Sequence, residues 1–518
     1  MSEKRQIFKA AGVVGSATLL SRILGMVRDM VVAAVFGAGP VSDAFFVAFR
    51  IPNLMRRLFA EGSLTVSFIP VFTDHLVNDG KEEAFRMGRS AFWMLGLILF
   101  VLTILGISGA YFVVKIIAPG FDGTSGNFDL TVSLTRYMFP YVLFICLTAL
   151  CTGILNSLNH FAAPAFGPVY LNICLILSAL FFSRFLDKPV YALSIGVIIG
   201  GIVQLAALIP PLLKLGFRFF GEVDLLHKGV KKVGRMMLPS VFGSAAYQLD
   251  MLVNTMLASM LSAGSVSYLY YADRLVQFPL ALFGVSAATV ILPTLARQAA
   301  KKDMKGVAES LSEGFRLVSF VNLPAMAGLI ALSYPIVSVI LQRGAFNPVQ
   351  AKATSEALIC YSIGLWAFSS VRIVLPVYYA VKDIRTPAIF TGITVVCDIL
   401  FAMWLMTFLG HKGLALSTSL SSMVNFCLLT NGIRPFLKDF DWKGTVLSLL
   451  KSVFCSFIMG ISIYYTGSYL DKMAISFIVK VALLAANILL GIFIYTGMSY
   501  MLGSRELKTM YSIIRRRK

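Results

Sequence analysis

The residues best equipped to do chemistry in this sequence are charged side chains set in otherwise apolar stretches. Arg22 stands in the middle of the first long apolar segment, with Arg28 and Asp29 two turns further along it. Arg56 and Arg57 interrupt the next segment, and Arg274 interrupts a later one. An arginine at mid-depth in a bilayer costs about 2.5–3.5 kcal/mol on insertion scales, a cost tolerable where the residue lines a hydrated cavity or meets an anion. Its planar fork of donors suits phosphate oxygens. The competing reading is internal pairing. Arg57 and Glu61 are four apart and would pair on one helix face. Arg22 and Asp29 share a face and would pair in part. Asp273 neighbours Arg274 but points about 100° away on a helix. Arg28 and Arg56 have no such helical partner in the sequence. Unpaired arginines in two separate parts of the chain point to a central cationic cavity that receives an anion.

Carboxylates also lie in apolar stretches: Asp250 and Asp398, with Asn254, Thr394 and Thr418 as polar neighbours. Oxygen ligands on facing helices would hold a hard monovalent cation or a proton, so Na+ or H+ is the candidate coupling ion. A helix–helix hydrogen bond explains each of these residues equally well when taken alone. The seven cysteines all fall in apolar segments and read as small hydrophobes,. The four histidines, His75, His160, His227 and His411, read as loop residues without partners at metal-ligand spacing,. No Walker loop is present, so ATP hydrolysis is not expected. Gly37-Ala38-Gly39 sits where a helix–helix turn needs glycine. A non-enzyme without cofactor follows.

The elements that must position these residues are membrane helices. Of the 518 residues, 58% are hydrophobic and 14% charged, and the mean hydropathy is +0.82. Apolar runs recur from end to end, each long enough to cross a hydrocarbon core roughly 30 Å thick. About fourteen spans are expected, at 8–36, 41–75, 88–117, 131–158, 163–185, 190–215, 230–262, 265–298, 314–342, 354–381, 386–409, 412–435, 445–469 and 474–502. Pro52 interrupts the second span and removes one backbone hydrogen bond. The first apolar segment is too long for a signal sequence, so it is expected to be retained. The net charge of +20 is spread over short loops between spans, which argues against nucleic acid. Roughly 28 Lys and Arg lie on one side of the spans against roughly 7 on the other, so both termini are expected in the cytoplasm.

An internal repeat is visible. Val13-Val14-Gly15-Ser16-Ala17 matches Val241-Phe242-Gly243-Ser244-Ala245, and Ala38-Gly39-Pro40-Val41-Ser42 matches Ala263-Gly264-Ser265-Val266-Ser267. Phe68-Ile69-Pro70 matches Ile291-Leu292-Pro293 at a similar offset. Six spans fit in that offset, so the halves share one orientation. The expected plan is a six-helix lobe over 1–220, a second over 221–438, and two further helices with a basic tail over 439–518.

Family resemblance enters at Ser21-Arg22-Ile23-Leu24-Gly25, Arg28-Asp29, Phe36-Gly37-Ala38-Gly39, Ser42-Asp43-Ala44-Phe45-Phe46-Val47-Ala48-Phe49, Pro52-Asn53-Leu54, Arg56-Arg57 and Phe59-Ala60-Glu61-Gly62. This stretch closely resembles the bacterial lipid II flippase family, MurJ, also called MviN. So does Tyr270-Tyr271-Ala272-Asp273-Arg274-Leu275 followed by Phe278-Pro279. The resemblance implies the multidrug/oligosaccharidyl-lipid/polysaccharide exporter fold, alternating access and residence in the bacterial inner membrane. The implied substrate is lipid II, undecaprenyl pyrophosphate bearing the disaccharide-pentapeptide of peptidoglycan. Membrane lipids and cell-wall synthesis proteins are the other expected partners. By the same resemblance Arg22, Arg28, Arg56 and Arg274 are the cationic cavity residues. Asp43 matches a position of functional weight, and Asn53, Arg57, Glu61 and Asp273 support them. The last two helices would form a lipid groove, and the family's cation site suits Asp250, Asp398 and Thr418. Alternatives are a flippase of another polyprenyl-linked glycan, a drug antiporter, a membrane scaffold of cell-wall synthesis and a membrane glycosyltransferase. A cationic cavity repels cationic drugs, a scaffold has no need of mid-bilayer arginines, and the loops are too short for a transferase site.

Overall fold

The computed structural model describes the backbone of residues 3–122, 127–281, 293–295, 297–301, 303–434, 439–472 and 476–508, with side chains for all of these except 3–11, 59–62, 240–247 and 469–472. Every regular element among them is a helix. Ten are long and apolar enough to cross a membrane. The ten do not include Glu3–Phe36, the rod over 40–78, Lys228–Ser259 or Ser265–Pro279. Every charged site candidate except Asp398 lies on one of those four. Positions 282–292 and 296 of the eighth expected span, the side chain of Glu61 and the basic tail Arg515-Arg516-Arg517-Lys518 lie outside the described residues.

Contacts divide the chain into two compact units, one of Met1–Val266 with Arg343–Phe346, the other of Ser267–Gln342 with Asn347–Lys518. The first unit opens with α1 (Glu3–Phe36), then α2 (Pro40–Met55), a π-helical stretch (Arg56–Leu64), α3 (Thr65–Asn78), α4 (Lys81–Ser108) and α5 (Ala110–Ile117). Pro40 starts α2 at the position where a missing N–H costs nothing,. Pro52 does not end the rod as a simple break would. The helix passes through it and widens into the π stretch one turn later, a form that recurs at functional sites. The unit continues with α6 (Asn127–Met138), α7 (Tyr141–Ser157), α8 (Ala162–Ala165), α9 (Gly167–Phe181), α10 (Tyr191–Ala206), α11 (Ile209–Lys214) and α12 (Lys228–Ser259). Its core joins Phe68, Phe72, Met87, Leu150, Ile154 and Phe217. Packing of α1 on α9 and of the π stretch on α7 and α12 brings distant polar side chains together.

The second unit holds most of α13 (Ser265–Pro279), then α14 (Met304–Ala331), α15 (Ser333–Leu341), α16 (Pro348–Ile363), α17 (Leu365–Ala380), α18 (Arg385–Leu409), α19 (His411–Ile433), α20 (Trp442–Lys472) and α21 (Phe477–Met501). Asn347 and Gln350 form a reciprocal cap at the start of α16,. The core runs through Leu311, Val318, Ile373, Tyr378 and Leu429, and a second cluster joins Phe320 to Met459 and Tyr495. Only 17% of the apolar window of α18, and of α21, is buried, against 67% for the window over α6 and α7. Apolar surface of that extent needs lipid around it.

Two readings of single residue types change. Cys146, Cys151 and Cys455 are buried, but Cys427 is exposed, so one cysteine lies on the outer face of its helix. His75 lies in the last turn of α3 and His411 opens α19, so neither lies in a loop, and the His75 ring stands 5.5 Å from that of His227. His227 caps α12, its Nδ1 accepting from the Gly229 amide at 3.0 Å.

Candidate functional site

The best-built constellation is on α1 and α9. Arg28 donates from Nε and Nη2 to Asp29 Oδ1, at 3.0 and 2.7 Å. It donates from Nη1 to Asn172 Oδ1 at 3.1 Å. The Arg28 and Asp29 side chains keep 13% and 10% of their surface exposed. The structure thus corrects the reading that Arg28 lacks a helical partner. Adjacent helical residues diverge, but the long arginine chain folds back to its neighbour's carboxylate. Asp29 is therefore engaged by Arg28, whereas Arg22 is exposed and makes no ion pair or hydrogen bond among the described residues. Charge-assisted bonds of this kind are about twice as strong as neutral ones.

Arg56 begins the π stretch. Its Nε and Nη2 both donate to Asn53 Oδ1, at 3.1 and 2.8 Å, so Asn53 holds the guanidinium from one turn earlier. Arg57 points its Nη1 at Met251 Sδ on α12, at 3.7 Å. The expected partner Glu61 has its side chain outside the described residues.

Asp43 is buried, with 1% of its surface exposed, near the start of α2. Its Oδ2 accepts from the Gly264 amide. Gly264 has a φ of +94°, a conformation open to glycine and strained for other residues. The turn between α1 and α2 is therefore tied to the turn between α12 and α13, the two turns whose sequences match in the repeat. A third turn joins them: the Ala345 amide donates to the Ala34 carbonyl at 2.8 Å, with Gly344 at φ +55° beside it.

In the second unit Arg274 is exposed on α13. Its guanidinium lies 5.1 Å from the centre of the Tyr270 ring and its Nη2 is 3.3 Å from the Tyr270 hydroxyl, a stacked contact one turn back. Asp273 accepts from Gln277 Nε2 at 3.3 Å, not from Arg274. Asp398 is 2% exposed on α18 and accepts from Ser421 Oγ at 3.0 Å. The Thr418 hydroxyl donates to the Leu414 carbonyl at 3.2 Å. Asp250, in the first unit, lies on α12. Asn172 and Ser421 escape sequence reading, because a lone amide or serine on an apolar helix carries no charge to draw notice, and Tyr270 stands in the quoted motif without a role assigned to it.

The sequence model described as lipid II flippase MurJ matches residues 32–484. The chain belongs to that family. The probable MurJ of Vibrio cholerae is 38% identical over 437 residues, 83% of each chain. The lipid II flippase MurJ of Burkholderia cenocepacia is 34% identical over 518 residues, 99% of each. A solved structure of a lipid II flippase MurJ in an inward closed conformation matches with a TM-score of 0.78 at 26% identity, over 94% of this chain and 98% of that one. An inward-facing multidrug resistance MATE family transporter of the MOP superfamily matches with a TM-score of 0.67 at 14% identity, over 83% of this chain, and shows the fold alone. Within the MurJ frame the arginines of α1, α2's π extension and α13 are the residues to weigh as substrate contacts.

Proposed function

We propose that this chain is a lipid II flippase, carrying lipid II from the cytoplasmic to the periplasmic leaflet of the bacterial inner membrane by alternating access. The observation that carries the reading is the Arg28 site, a guanidinium held between a carboxylate and a carboxamide on an apolar lobe of a MurJ-family chain. Three of its donor bonds fix the fork before a ligand arrives, so little ordering cost is left for binding. Arg22, Arg56 and Arg274 are the proposed further cationic contacts for the pyrophosphate, with Asp43, Asn53, Arg57, Glu61 and Asp273 in support. The working parts are the lobes over 1–220 and 221–438, with the helices beyond 439 as a lipid groove. Positive charge on alternate loops supports cytoplasmic termini. Asp398 with Ser421 and Thr418 offers hard oxygen donors that suit Na+ or H+, and Asp250 is the proposed further ligand. The chain does no covalent chemistry in this reading.

The test is replacement. A bacterium depleted of its own lipid II flippase should grow when this chain is supplied. Lysis despite membrane insertion of the chain would overturn the reading, and rescue only of another polyprenyl-linked glycan's export would reassign the cargo.

A further inference from the structure

We propose that the first turns of α4, with the irregular segment over 215–227 that joins α11 to α12, form a binding site for the headgroup of an anionic phospholipid, and that Arg89 is its phosphate contact.

The segment lies along α4 as a strap. Phe217 is fully buried, its ring 5.4 Å from that of Phe85 and 5.2 Å from that of Phe219. The Phe219 carbonyl accepts from Trp93 Nε1 at 2.8 Å, and the Asp224 amide donates to Ser90 Oγ at 2.9 Å. Between these two ties the strap passes over Arg89. A Cβ at Gly221 would lie 2.9 Å from Arg89 Nη1, and Gly221 has a φ of +142°, open to glycine and strained for other residues. Arg89 makes no ion pair or hydrogen bond among the described residues, and of its three nitrogens only Nε is shut off from solvent. Three carboxylates of α4 and the strap are engaged by other groups. Glu83 and Glu222 reach Arg86 at 3.8 and 3.6 Å. Glu83 also accepts from His227 Nε2 at 2.9 Å, and Asp224 Oδ1 accepts from the Leu226 amide at 3.0 Å. Arg218, exposed on the strap, adds a second cation without an ion pair among the described residues.

The surroundings fit a lipid. No charged residue follows Arg89 along the chain before Lys115, so Arg89 marks the level where α4 leaves the hydrocarbon core. Trp93, one turn deeper, is 39% exposed, and its ring stands 5.8 Å from that of Phe220, which is 76% exposed. Exposed aromatic rings favour the membrane–water interface. Leu97 and Val101 continue the exposed face beyond Trp93 and would meet an acyl chain. A free phosphate would use the guanidinium and none of this apolar surface. A net negative headgroup is drawn to unpaired cations at a membrane surface, and a zwitterionic one much less.

The experiment uses the full-length chain in phosphatidylcholine nanodiscs that carry a small share of phosphatidylglycerol or phosphatidylcholine brominated on its acyl chains. The tryptophan quenching that disappears in Trp93→Phe is the Trp93 signal, and thermal unfolding is the folding control. Brominated phosphatidylglycerol should quench Trp93 at least about threefold more than brominated phosphatidylcholine at equal mole fraction. Arg89→Gln should remove at least about half of that excess, and raised salt should shrink it. Equal quenching of the wild-type chain by the two lipids overturns the site and needs no variant of Arg89. An undiminished excess in Arg89→Gln overturns Arg89 as the phosphate contact.

Discussion

Removing the Arg28 side chain leaves Asp29 as a carboxylate with 7% of its surface exposed and without its main cation. Breaking a buried pair from one side costs about 3–5 kcal/mol. Arg28→Ala should therefore lower unfolding stability as well as transport, and Arg28→Ala with Asp29→Asn should recover most of the stability but none of the transport. Thermal unfolding alongside complementation separates the two. Arg28→Lys should rescue growth poorly, since a point charge cannot replace the fork that spans Asp29 and Asn172. Full growth with alanine at Arg28 would show that the charge is dispensable. At this scale the charged members were legible in the sequence, because an arginine in an apolar run is conspicuous. Their partners were not. Arg28 turns to its own neighbour against the helical angle between adjacent residues, and Asn172 reaches it from 144 residues away.

The helices joined by Asp43 show what element-scale reading can and cannot find. The repeat places glycine-bearing turns at 38–42 and 263–267, and the structure ties one to the other through Asp43 and the Gly264 amide. Asp43→Ala would leave that buried amide without its carboxylate, a loss of about 1–3 kcal/mol. Transport should fall while the chain still inserts, and Asp43→Asn, which keeps an oxygen acceptor, should fall less. Complementation with both variants checks the order. The π stretch after Pro52 was not legible, because a wider backbone register leaves no mark on hydrophobic periodicity.

At the start of α20 the Gly444 amide donates to Asp441 at 2.9 Å, and Arg316 of α14 donates to it at 2.7 Å. The Gly444 bond first, and then the Arg316 guanidinium, hold the Asp441 carboxyl below its usual range. Its contribution to stability is present above the ordinary carboxylate value of about 3.9. It is lost as pH falls through the lower folded value. Asp441→Asn should thus lower the unfolding temperature equally at about pH 5 and about pH 8, and the difference from wild type should close only in stronger acid. A difference that grows on acidification would contradict this placement of the charge.

On the scale of the whole molecule, composition and hydropathy sufficed for an all-helical membrane chain, and the family followed from about forty residues around Arg22 to Gly62. The two contact units were not legible: α12 begins the second half by repeat, yet its contacts lie with the first unit. We propose that charge supplies a driving force, with the cavity arginines staying on the protein as the substrate crosses the field. The pyrophosphate carries about two negative charges, and outward movement gains roughly 2.3 kcal/mol per charge per 100 mV when the interior is negative. Collapsing the potential with the sodium and proton gradients intact should slow export, and unchanged export would remove the voltage-driven version. Neutralising Asp250 and Asp398 together should stop growth if a cation resets the empty carrier.

The central claim is that this chain moves lipid II between leaflets, and the most direct test follows the lipid. In cells whose only lipid II flippase is this chain, the fraction of lipid II open to a periplasmic probe is measured before and after its depletion. The account predicts that the fraction collapses while lipid II accumulates on the cytoplasmic face, and that Arg28→Ala reproduces the collapse. Periplasmic lipid II that persists unchanged through depletion would contradict it.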